Sequence, residues 1–369
     1  MRILKKLNNG LALGDYFMKK RALILAILMI MMLLGCGQKI EKLEEKKEAS
    51  SKYSEMEAEE IEEKEVRNTE LRTVALKGPT AMGMVELMNR ADNDEIDSYE
   101  YKFNIVAAVD QIPPLLVKKE TDLAAVPANL AAVLFNSTEG EIQVLGINTL
   151  GVLYIVGADD TITSIEQLKG KTVYASGKGA TPEYALNYIL SENKINPEKD
   201  MKIEWKSEHT ECLSSILADP DAVALLPQPF VTTAQMKNNS ISVLLDLNKE
   251  WEDIQKDKGN LSSLLTGVII GRKEFIEANP EAVKDFMENY KKSVSYVNEN
   301  IEEASGLMGN YEIVPKEVAQ KAIPYCNITF INGKDMKEKL SGYLEVLFHQ
   351  NPKSVGGRLP EESFYYIEE

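Results

Sequence analysis

The sequence has few of the side chains that most enzyme chemistry requires. Its 369 residues include only 2 His, 3 Cys and 2 Trp, and 42 basic residues stand against 58 acidic ones. His209 and His349 lie far apart in the chain, which argues against a zinc cluster, and three cysteines are too few for a disulfide-framed domain. A formal net charge of −16 argues against nucleic acid as a partner, because binding the phosphate backbone needs clustered cations. We therefore expect no metal and no cofactor.

One long apolar run is present near the N-terminus. It covers residues 22–34 and follows the basic triplet Lys-Lys-Arg at 19–21. The run is shorter than the roughly 20 residues that a membrane-spanning helix needs. A basic segment, a short apolar run and small residues are together typical of a secretory signal peptide, here residues 1–35. We expect translation to begin at Met18, because Met-Lys-Lys-Arg is an ordinary signal start.

The signal peptide ends in a short motif that suggests lipidation. Residues 33–36, Leu-Leu-Gly-Cys, resemble a bacterial lipobox. This resemblance implies cleavage before Cys36 and diacylglycerol on its sulfur, and each buried CH₂ of such chains contributes about 0.8 kcal/mol to membrane binding. The alternative is an uncleaved anchor followed by an ordinary buried cysteine. Residues 36–70 are mostly Glu, Lys and Ser, so we expect them to form a charged, disordered tether that buries too little surface to fold.

After the tether, β-rich apolar runs alternate with amphipathic helical patterns. Such alternation is typical of a layered α/β fold with a largely parallel sheet. The pattern predicts two α/β lobes that the chain crosses twice. We assign residues 71–155 and 265–369 to lobe 1 and residues 156–264 to lobe 2. The polar stretch after Asp253, up to Asn260, is expected to be a surface loop.

Four turns place hydrogen-bonding residues where a strand ends and a helix begins, which is where open α/β sheets bind ligands. They are Gly78–Met82, Pro127–Asn129, Ser176–Thr181 and Pro227–Phe230. Two turns fall in each predicted lobe, so they can face one another across a cleft. Their hydroxyls, amides and glycines suit the binding of a small molecule, although Pro and Gly also shape such turns for purely structural reasons.

Catalytic interpretations find little support in the sequence. The Gly-Lys-Thr triplet at 170–172 resembles the end of a phosphate-binding loop, but Ile165 occupies the position of the first glycine. His209 lies in a polar stretch, where an exposed histidine is the simpler interpretation, and no nucleophile elbow is present. Cys212 and Cys326 belong to different predicted lobes. Two separate thiols are therefore favoured over a disulfide, which would restrict a hinge.

Three stretches resemble the solute-binding lipoproteins of ABC importers, and within that group the aliphatic-sulfonate, nitrate and thiamine-pyrimidine-precursor binding proteins. They are TSIEQLKGKTVYA (163–175), ALLPQPF (224–230) and GVIIGRKEFIEANPEAVKDF (267–286). The resemblance covers about residues 71–350, and the order of these stretches after a lipobox strengthens it. It implies the type II periplasmic-binding-protein fold, an α/β fold of two lobes with a hinge and an interlobe ligand cleft.

The resemblance also implies a function without catalysis, in which the lobes close on one small-molecule solute and present it to an ABC permease. Mapped onto this sequence, the ligand-binding residues would be Thr80, Ala81, Met82, Asn129 and Thr149 in lobe 1, and Ser176, Gly177, Thr181, Gln228 and Phe230 in lobe 2. Hydroxyl and backbone donors of this set would face an anionic or carbonyl group, and its Met and Phe side chains would pack on the apolar part. The protein would be a monomer, held by its lipid in the bilayer at the extracytoplasmic face of the cell membrane.

Two alternatives to an importer component remain open from the sequence. One is an enzyme of the same fold that acts on a small metabolite, and the other is a ligand-sensing lipoprotein that docks on a receptor. The fungal-type thiamin-pyrimidine synthases of this fold carry a cysteine-rich motif and an essential histidine, which have no match here. The ligand is expected to be a small neutral or mono-anionic organic molecule, because Lys178 is the sole basic residue in the four turns.

Overall fold

A computed structural model describes residues 69–219, 221–260 and 262–367. The predicted signal peptide, Cys36 and nearly all of the predicted tether lie outside the described residues. Within those residues, no helix has both the length and the apolar character needed to cross a bilayer. Strands and helices alternate along the described chain, as the sequence pattern predicts, and they build two separate β-sheets.

The first sheet has six strands. They are β1 (Glu70–Leu76), β2 (Glu100–Val106), β3 (Leu123–Pro127), β4 (Ile142–Leu150), β10 (Leu265–Arg272) and β11 (Ile328–Ile331). Their order across the sheet is β11-β4-β10-β3-β1-β2. β1 pairs in parallel with β2 and β3, whereas β10 runs antiparallel to both β3 and β4. The parallel strands β1 and β3 therefore end at the same edge, where two of the predicted turns begin.

The second sheet has five strands. They are β5 (Leu153–Gly157), β6 (Thr172–Ser176), β7 (Lys202–Lys206), β8 (Val223–Pro227) and β9 (Ser242–Asp246). Their order is β7-β6-β8-β5-β9. β6 pairs in parallel with β7 and β8, while β5 runs antiparallel to β8 and β9. The other two predicted turns follow β6 and β8, so they too share one edge of a sheet.

Helices cover the faces of both sheets. They are α1 (Pro79–Met82), α2 (Val85–Asp92), α3 (Ile112–Val117), α4 (Ala128–Ser137), α5 (Thr181–Glu192), α6 (His209–Ala218), α7 (Phe230–Lys237), α8 (Leu247–Asp257), α9 (Lys273–Ala278), α10 (Pro280–Glu299), α11 (Ile301–Asn310), α12 (Lys316–Ala322) and α13 (Gly333–Gln350). Proline occupies one of the first two positions of α1, α5 and α10. Proline is favoured there because it lacks an N–H that the first turn would leave without a partner.

Each lobe has its own apolar core, and a third cluster joins the two. Phe286 and Tyr290 of α10 pack in the lobe 1 core, and Val156 and Leu226 belong to the lobe 2 core. The third cluster contains side chains from both sheets together with Tyr343 of α13. Because α13 follows the last strand of the first sheet and packs against α5 of the second lobe, it ties the lobes together.

The passage between the lobes lies slightly earlier than the sequence indicates. The predicted division after residue 155 placed the first three residues of β5 in lobe 1, but β5 pairs only with strands of the second sheet. The chain therefore changes lobe at Gly151 and Val152. A Cβ atom on Gly151 would lie 2.8 Å from Asn248 Oδ1 and 2.9 Å from Leu264 Cγ, so only glycine fits this crossing without movement.

The prediction of a surface loop before Asn260 is wrong for most of that stretch. Residues up to 257 belong to α8, whose first turn is capped by Asp246, the acceptor of hydrogen bonds from two backbone N–H groups. Leu247, Trp251 and Gln255 are buried in this helix at intervals of four residues. They form one face against the lobe, while the remaining polar side chains gave the stretch its loop-like composition.

Candidate functional site

The lobe 1 part of the predicted site is a compact hydrogen-bonded group at the ends of β1 and β4. Thr80 donates its hydroxyl to the Leu76 carbonyl at 2.7 Å, and Asn148 Nδ2 donates to the Thr80 carbonyl at 2.9 Å. Thr149 lies within hydrogen-bond distance of the Pro79 carbonyl, at 3.3 Å. The structure thus brings Thr80 and Thr149 together through main-chain atoms. Asn148, which the sequence did not single out, holds them in place.

Ala81 and Met82 are positioned differently from the sequence-based expectation. Both side chains are fully buried in the lobe 1 core, and the Ala81 N–H donates to the Gly78 carbonyl at 3.0 Å. The strand β10 lies very close to this turn, since a Cβ atom on Gly267 would be 2.4 Å from Thr80 Cγ2. In this structure these two residues therefore anchor the turn to the core, and Met82 offers no exposed surface to a ligand.

The lobe 2 part of the predicted site is centred on His209. Ser176 Oγ, at the end of β6, lies 2.5 Å from His209 Nδ1. The His209 ring packs against Phe230 with a centroid distance of 4.9 Å. His209 is half-buried, so the expectation of an exposed histidine is wrong, and its Nε2 makes no hydrogen bond with the described residues. The ring thus joins two predicted ligand-binding residues and leaves one nitrogen free to donate or accept.

The position of His209 in the sequence is itself a signal for the site. His209 opens helix α6 three residues after β7 ends, which is the same strand-to-helix position as the four turns chosen from the sequence. The connecting residues, Ser207 and Glu208, differ from those four turns because they are polar and include no Gly or Pro. The closeness of His209 to Ser176, 33 residues earlier, depends on the pairing of β6 with β7 and cannot be deduced from spacing.

Gln228 is buried, and its carboxamide oxygen is already engaged. The side chain is 2% exposed, and Oε1 accepts hydrogen bonds from the Thr232 hydroxyl at 2.9 Å and the Thr232 N–H at 3.3 Å. The Gln228 N–H donates to the Val152 carbonyl at 2.9 Å. Gln228 therefore fixes the start of α7 and ties it to the crossing between the lobes.

The other three predicted residues occupy distinct environments. Thr181 Oγ1 lies 2.9 Å from the Tyr343 hydroxyl, so it contacts α13. Asn129 Nδ2 donates to the Ser354 carbonyl at 3.3 Å, which ties α4 to the C-terminal segment. Gly177 has a φ of 81°, a left-handed conformation that favours glycine. Thr181 and Asn129 therefore hold segments that border the site, and Gly177 allows the turn after β6.

Among the described residues, metal-ligating side chains do not cluster and both cysteines are buried. The described residues contain no group of three or more His, Cys, Asp or Glu side chains that could hold a metal ion. Cys212 and Cys326 are both buried free thiols, which confirms the preference for two separate cysteines. Burial raises the pKa of Cys326 to about 12 and also raises the pKa of Cys212. Both thiols are therefore protonated at neutral pH, and thiolates are the reactive form.

The environment of His209 predicts a measurable pH dependence of stability. Burial lowers the pKa of its imidazole, and Glu208 offsets this only in part. The unfolded chain, with a histidine pKa of about 6.5, then binds more protons than the folded protein, so stability is lost as the pH falls through this value. We expect His209→Gln to show a smaller drop in Tm between pH 7 and pH 5 than the wild type.

The matched control for this measurement is His349→Gln, because the His349 side chain is 72% exposed. This variant should keep the pH profile of the wild type. Identical profiles for the wild type and His209→Gln, recorded by calorimetry in the same buffers, would contradict the assigned environment of His209.

Residues 142–304 match the family described as "NMT1/THI5 like". This segment includes the Gly151 crossing, the whole second sheet and β10. No curated protein sequence matches the chain significantly.

Several solved structures share the fold. An ABC transporter protein from Parabacteroides distasonis is 23% identical, with a TM-score of 0.68 over 82% of this chain and 100% of its own. The periplasmic aliphatic sulphonate binding protein SsuA from Escherichia coli is 15% identical, with a TM-score of 0.62 over 80% and 92%. The alkanesulfonate-binding protein SsuA from Xanthomonas axonopodis pv. citri, bound to MOPS, is 12% identical, with a TM-score of 0.56 over 81% and 97%. The fold expected from the sequence is confirmed: the chain has the two-lobed α/β fold of the periplasmic binding proteins, and residues 142–304 carry the NMT1/THI5-like sequence pattern.

Proposed function

We propose that the protein is the solute-binding component of an ABC importer, which captures a small organic solute between its two lobes and delivers it to a membrane permease. The observation that carries this proposal is the arrangement of the two sheets. Each sheet ends in hydrogen-bonding turns at one edge, and the chain passes between them at Gly151. The fold match to an ABC transporter protein and to two sulfonate-binding proteins supports the same function.

A two-lobed binding protein transmits ligand binding as a change of shape. The ligand must bind the closed arrangement more tightly than the open one, and therefore needs contacts from both lobes. We assign the direct contacts to Thr80 on lobe 1 and to Ser176 and Phe230 on lobe 2, with His209 added. The remaining predicted residues (Ala81, Met82, Asn129, Thr149, Gly177, Thr181 and Gln228) are assigned the role of shaping the turns that carry these contacts.

The chemistry of the lobe 2 group suggests the kind of ligand. A half-buried histidine with a lowered pKa is neutral at pH 7, so it offers one hydrogen bond and no charge. The adjacent Phe230 ring offers an apolar surface. These features suit a small neutral or mono-anionic organic molecule with a polar end and an apolar body, in agreement with the sequence-based expectation.

We infer the cellular location of the protein from its N-terminal motif. We propose that Cys36 is lipidated and that the protein acts as a monomer, tethered to the extracytoplasmic face of the cell membrane. A Cys36→Ser variant should lose incorporation of a labelled fatty acid and leave the membrane fraction. Unchanged labelling of that variant would show that the fatty acid is attached to another residue and would contradict lipidation of Cys36.

A thermal-shift screen tests the binding function directly. Sulfonates, pyrimidines, nitrate and amino acids are added to the purified protein, and a ligand at 100 times its Kd should add about 2.7 kcal/mol to the free energy of unfolding. Phe230→Ala should lose this shift. Val117→Ala is the matched control, because Val117 is 68% exposed and lies outside the site, and it should keep the shift.

The outcomes separate the three classes of function. Stimulation of the ATPase activity of a reconstituted permease by the loaded protein supports an importer. Binding without such stimulation points to a sensor that docks on a receptor, and conversion of the ligand to a product would reveal an enzyme. A solute shift that Phe230→Ala and Val117→Ala retain equally would overturn the assigned site.

A further inference from the structure

The two lobes are held together unequally on the two sides of the molecule. On the side of α13, one buried apolar cluster contains residues of both sheets together with α13. Polar contacts add to this cluster. Tyr343 of α13 places its hydroxyl 2.9 Å from Thr181 Oγ1, and Asn351, just after α13, donates its Nδ2 to the Tyr184 hydroxyl at 3.0 Å. The lobes cannot part on this side without exposing a shared apolar core to water, which is unfavourable.

The opposite side, where α7 of lobe 2 contacts α12 of lobe 1, has no shared core. The buried residues of α7 belong to the lobe 2 cluster, and those of α12 belong to the lobe 1 cluster. Two large side chains at this edge, Met236 on α7 and Tyr325 just after α12, are 45% and 57% exposed. The α7–α12 edge can therefore separate with little loss of apolar burial.

A single hydrogen bond crosses the α7–α12 edge. Tyr154 lies on β5 of lobe 2 and is buried, and its hydroxyl donates to the main-chain carbonyl of Tyr325 at 3.0 Å. Among the described residues, no other hydrogen bond joins residues 152–264 to residues 316–331. Two residues further on, Asn327 Nδ2 donates to the Gly151 carbonyl at 2.5 Å. The segment that accepts the Tyr154 hydroxyl therefore also holds the crossing between the lobes.

An unpaired oxygen lies at the same crossing. Asn248, in the first turn of α8, has its Oδ1 atom 2.8 Å from the position of a Cβ atom on Gly151. This oxygen is buried and has no hydrogen-bond partner among the described residues. A buried acceptor without a partner is unfavourable. The arrangement in the structure thus carries a cost at the crossing, and a movement of the lobes can relieve it.

We propose that these groups form a two-state device that opens the cleft along the α7–α12 edge, with the Tyr154 hydroxyl as its latch. The hydrogen bond to the Tyr325 carbonyl favours the arrangement in the structure. The unpaired Asn248 oxygen favours an open arrangement, in which it reaches water or a main-chain N–H. The lobes turn about Gly151 while the α13 side stays closed. The use of this movement rests on the proposed capture of a solute, but the movement itself is measured on the protein alone.

Distances between spin labels, measured by pulsed electron resonance on the full chain without added solute, test the proposal. A Cys36→Ser background leaves only the two buried thiols of the described chain. One label pair, Lys237→Cys with Glu317→Cys, joins α7 to α12. The second pair, Ser191→Cys with Glu345→Cys, joins α5 to α13. All four labelled positions are exposed, so the labels attach without disturbing either core.

Two substitutions should change the α7–α12 distance in opposite directions. Tyr154→Phe keeps the ring and removes the latch, so the ratio of long to short distances should rise about two- to tenfold. Adding Asn248→Ala to Tyr154→Phe removes the unpaired oxygen, so the ratio should fall again by at least about fivefold. The matched control is Tyr311→Phe, because the Tyr311 hydroxyl donates to Asp92 Oδ2 within lobe 1 at 2.6 Å. It should keep the wild-type distances.

Each result decides one part of the proposal. Identical distances in the wild type and Tyr154→Phe, or an equal change in Tyr311→Phe, would overturn the latch. A changed distance between α5 and α13 in Tyr154→Phe would overturn opening along a single edge. A ratio that rises when Asn248→Ala is added would overturn the role of the unpaired oxygen. Failure of the solute screen alters none of these measurements, so the two proposals are tested separately.

Discussion

Replacing Asp122 by alanine is expected to lower the free energy of unfolding by about 3–5 kcal/mol. The Asp122 side chain is buried between two arginines. It accepts hydrogen bonds from Arg72 Nε and Nη2, both at 2.8 Å, and from Arg272 Nη2 at 2.6 Å. It also accepts the Arg72 backbone N–H at 3.1 Å. Removing this carboxylate leaves Arg72 without its buried partner and leaves Arg272 with only Glu274, whose Oε2 lies 3.6 Å from Arg272 Nη1. It also removes the side-chain link between β1 and β10.

Urea unfolding followed by circular dichroism measures this loss. The matched control is Glu362→Gln, which breaks a surface ion pair in which Lys337 Nζ lies 2.5 Å from a carboxylate that is 81% exposed. Exposed pairs contribute little, so the control should change stability by less than about 0.5 kcal/mol. A loss below about 1 kcal/mol in Asp122→Ala would mean that water replaces the carboxylate. The group formed by Asp122, Arg72 and Arg272 would then contribute little to stability.

Replacing Trp251 by alanine is expected to cost about 3–5 kcal/mol of stability. The indole is fully buried and packs between two tyrosines, with ring centroids 4.7 Å from Tyr188 and 5.8 Å from Tyr343. The substitution leaves a large void between α8 and α13, and it also removes the indole N–H bond to Ser262. The structure around the void cannot collapse easily, because Tyr343 is held by Thr181.

The control for this change is the second tryptophan of the chain. Trp205 lies on β7 and is only half-buried, so Trp205→Ala should cost less than about 2 kcal/mol. Trp251→Phe should recover part of the loss, because a ring still fills part of the space. Equal losses for Trp205→Ala and Trp251→Ala would show that the aromatic cluster between the lobes contributes no special stability. Both variants are compared by circular dichroism, since their fluorescence differs.

The positions of the turns could be predicted because local chemistry determines them. β3 and β8 end at Pro127 and Pro227, and a helix follows each within three residues, as the apolar runs and prolines predict. The two-lobed fold followed from the alternation of such units. α8 was missed because one of its three buried residues is Gln255, so the interval of four residues did not appear as an apolar stripe.

The direction of the side chains in the turns depended on tertiary packing. Met82 follows Thr80 by only two residues, yet it points into a core that α10 completes about 200 residues later. The carboxamide of Gln228 is taken by Thr232, one helical turn away, which a sequence cannot distinguish from a ligand contact. His209 became part of the site only because β6 and β7 pair. Sequence alone therefore located the edge of each sheet but could not choose which atoms face the cleft.

The placement of α13 has a consequence for the order in which the protein folds. Lobe 2 is continuous in sequence from β5 to the end of α8, so its sheet can form before α13 packs against it. Until α13 packs, the face of Trp251 that contacts Tyr343, about 90 residues later in the chain, stays uncovered. A chain that ends before α13 therefore exposes this aromatic surface, and we expect it to aggregate.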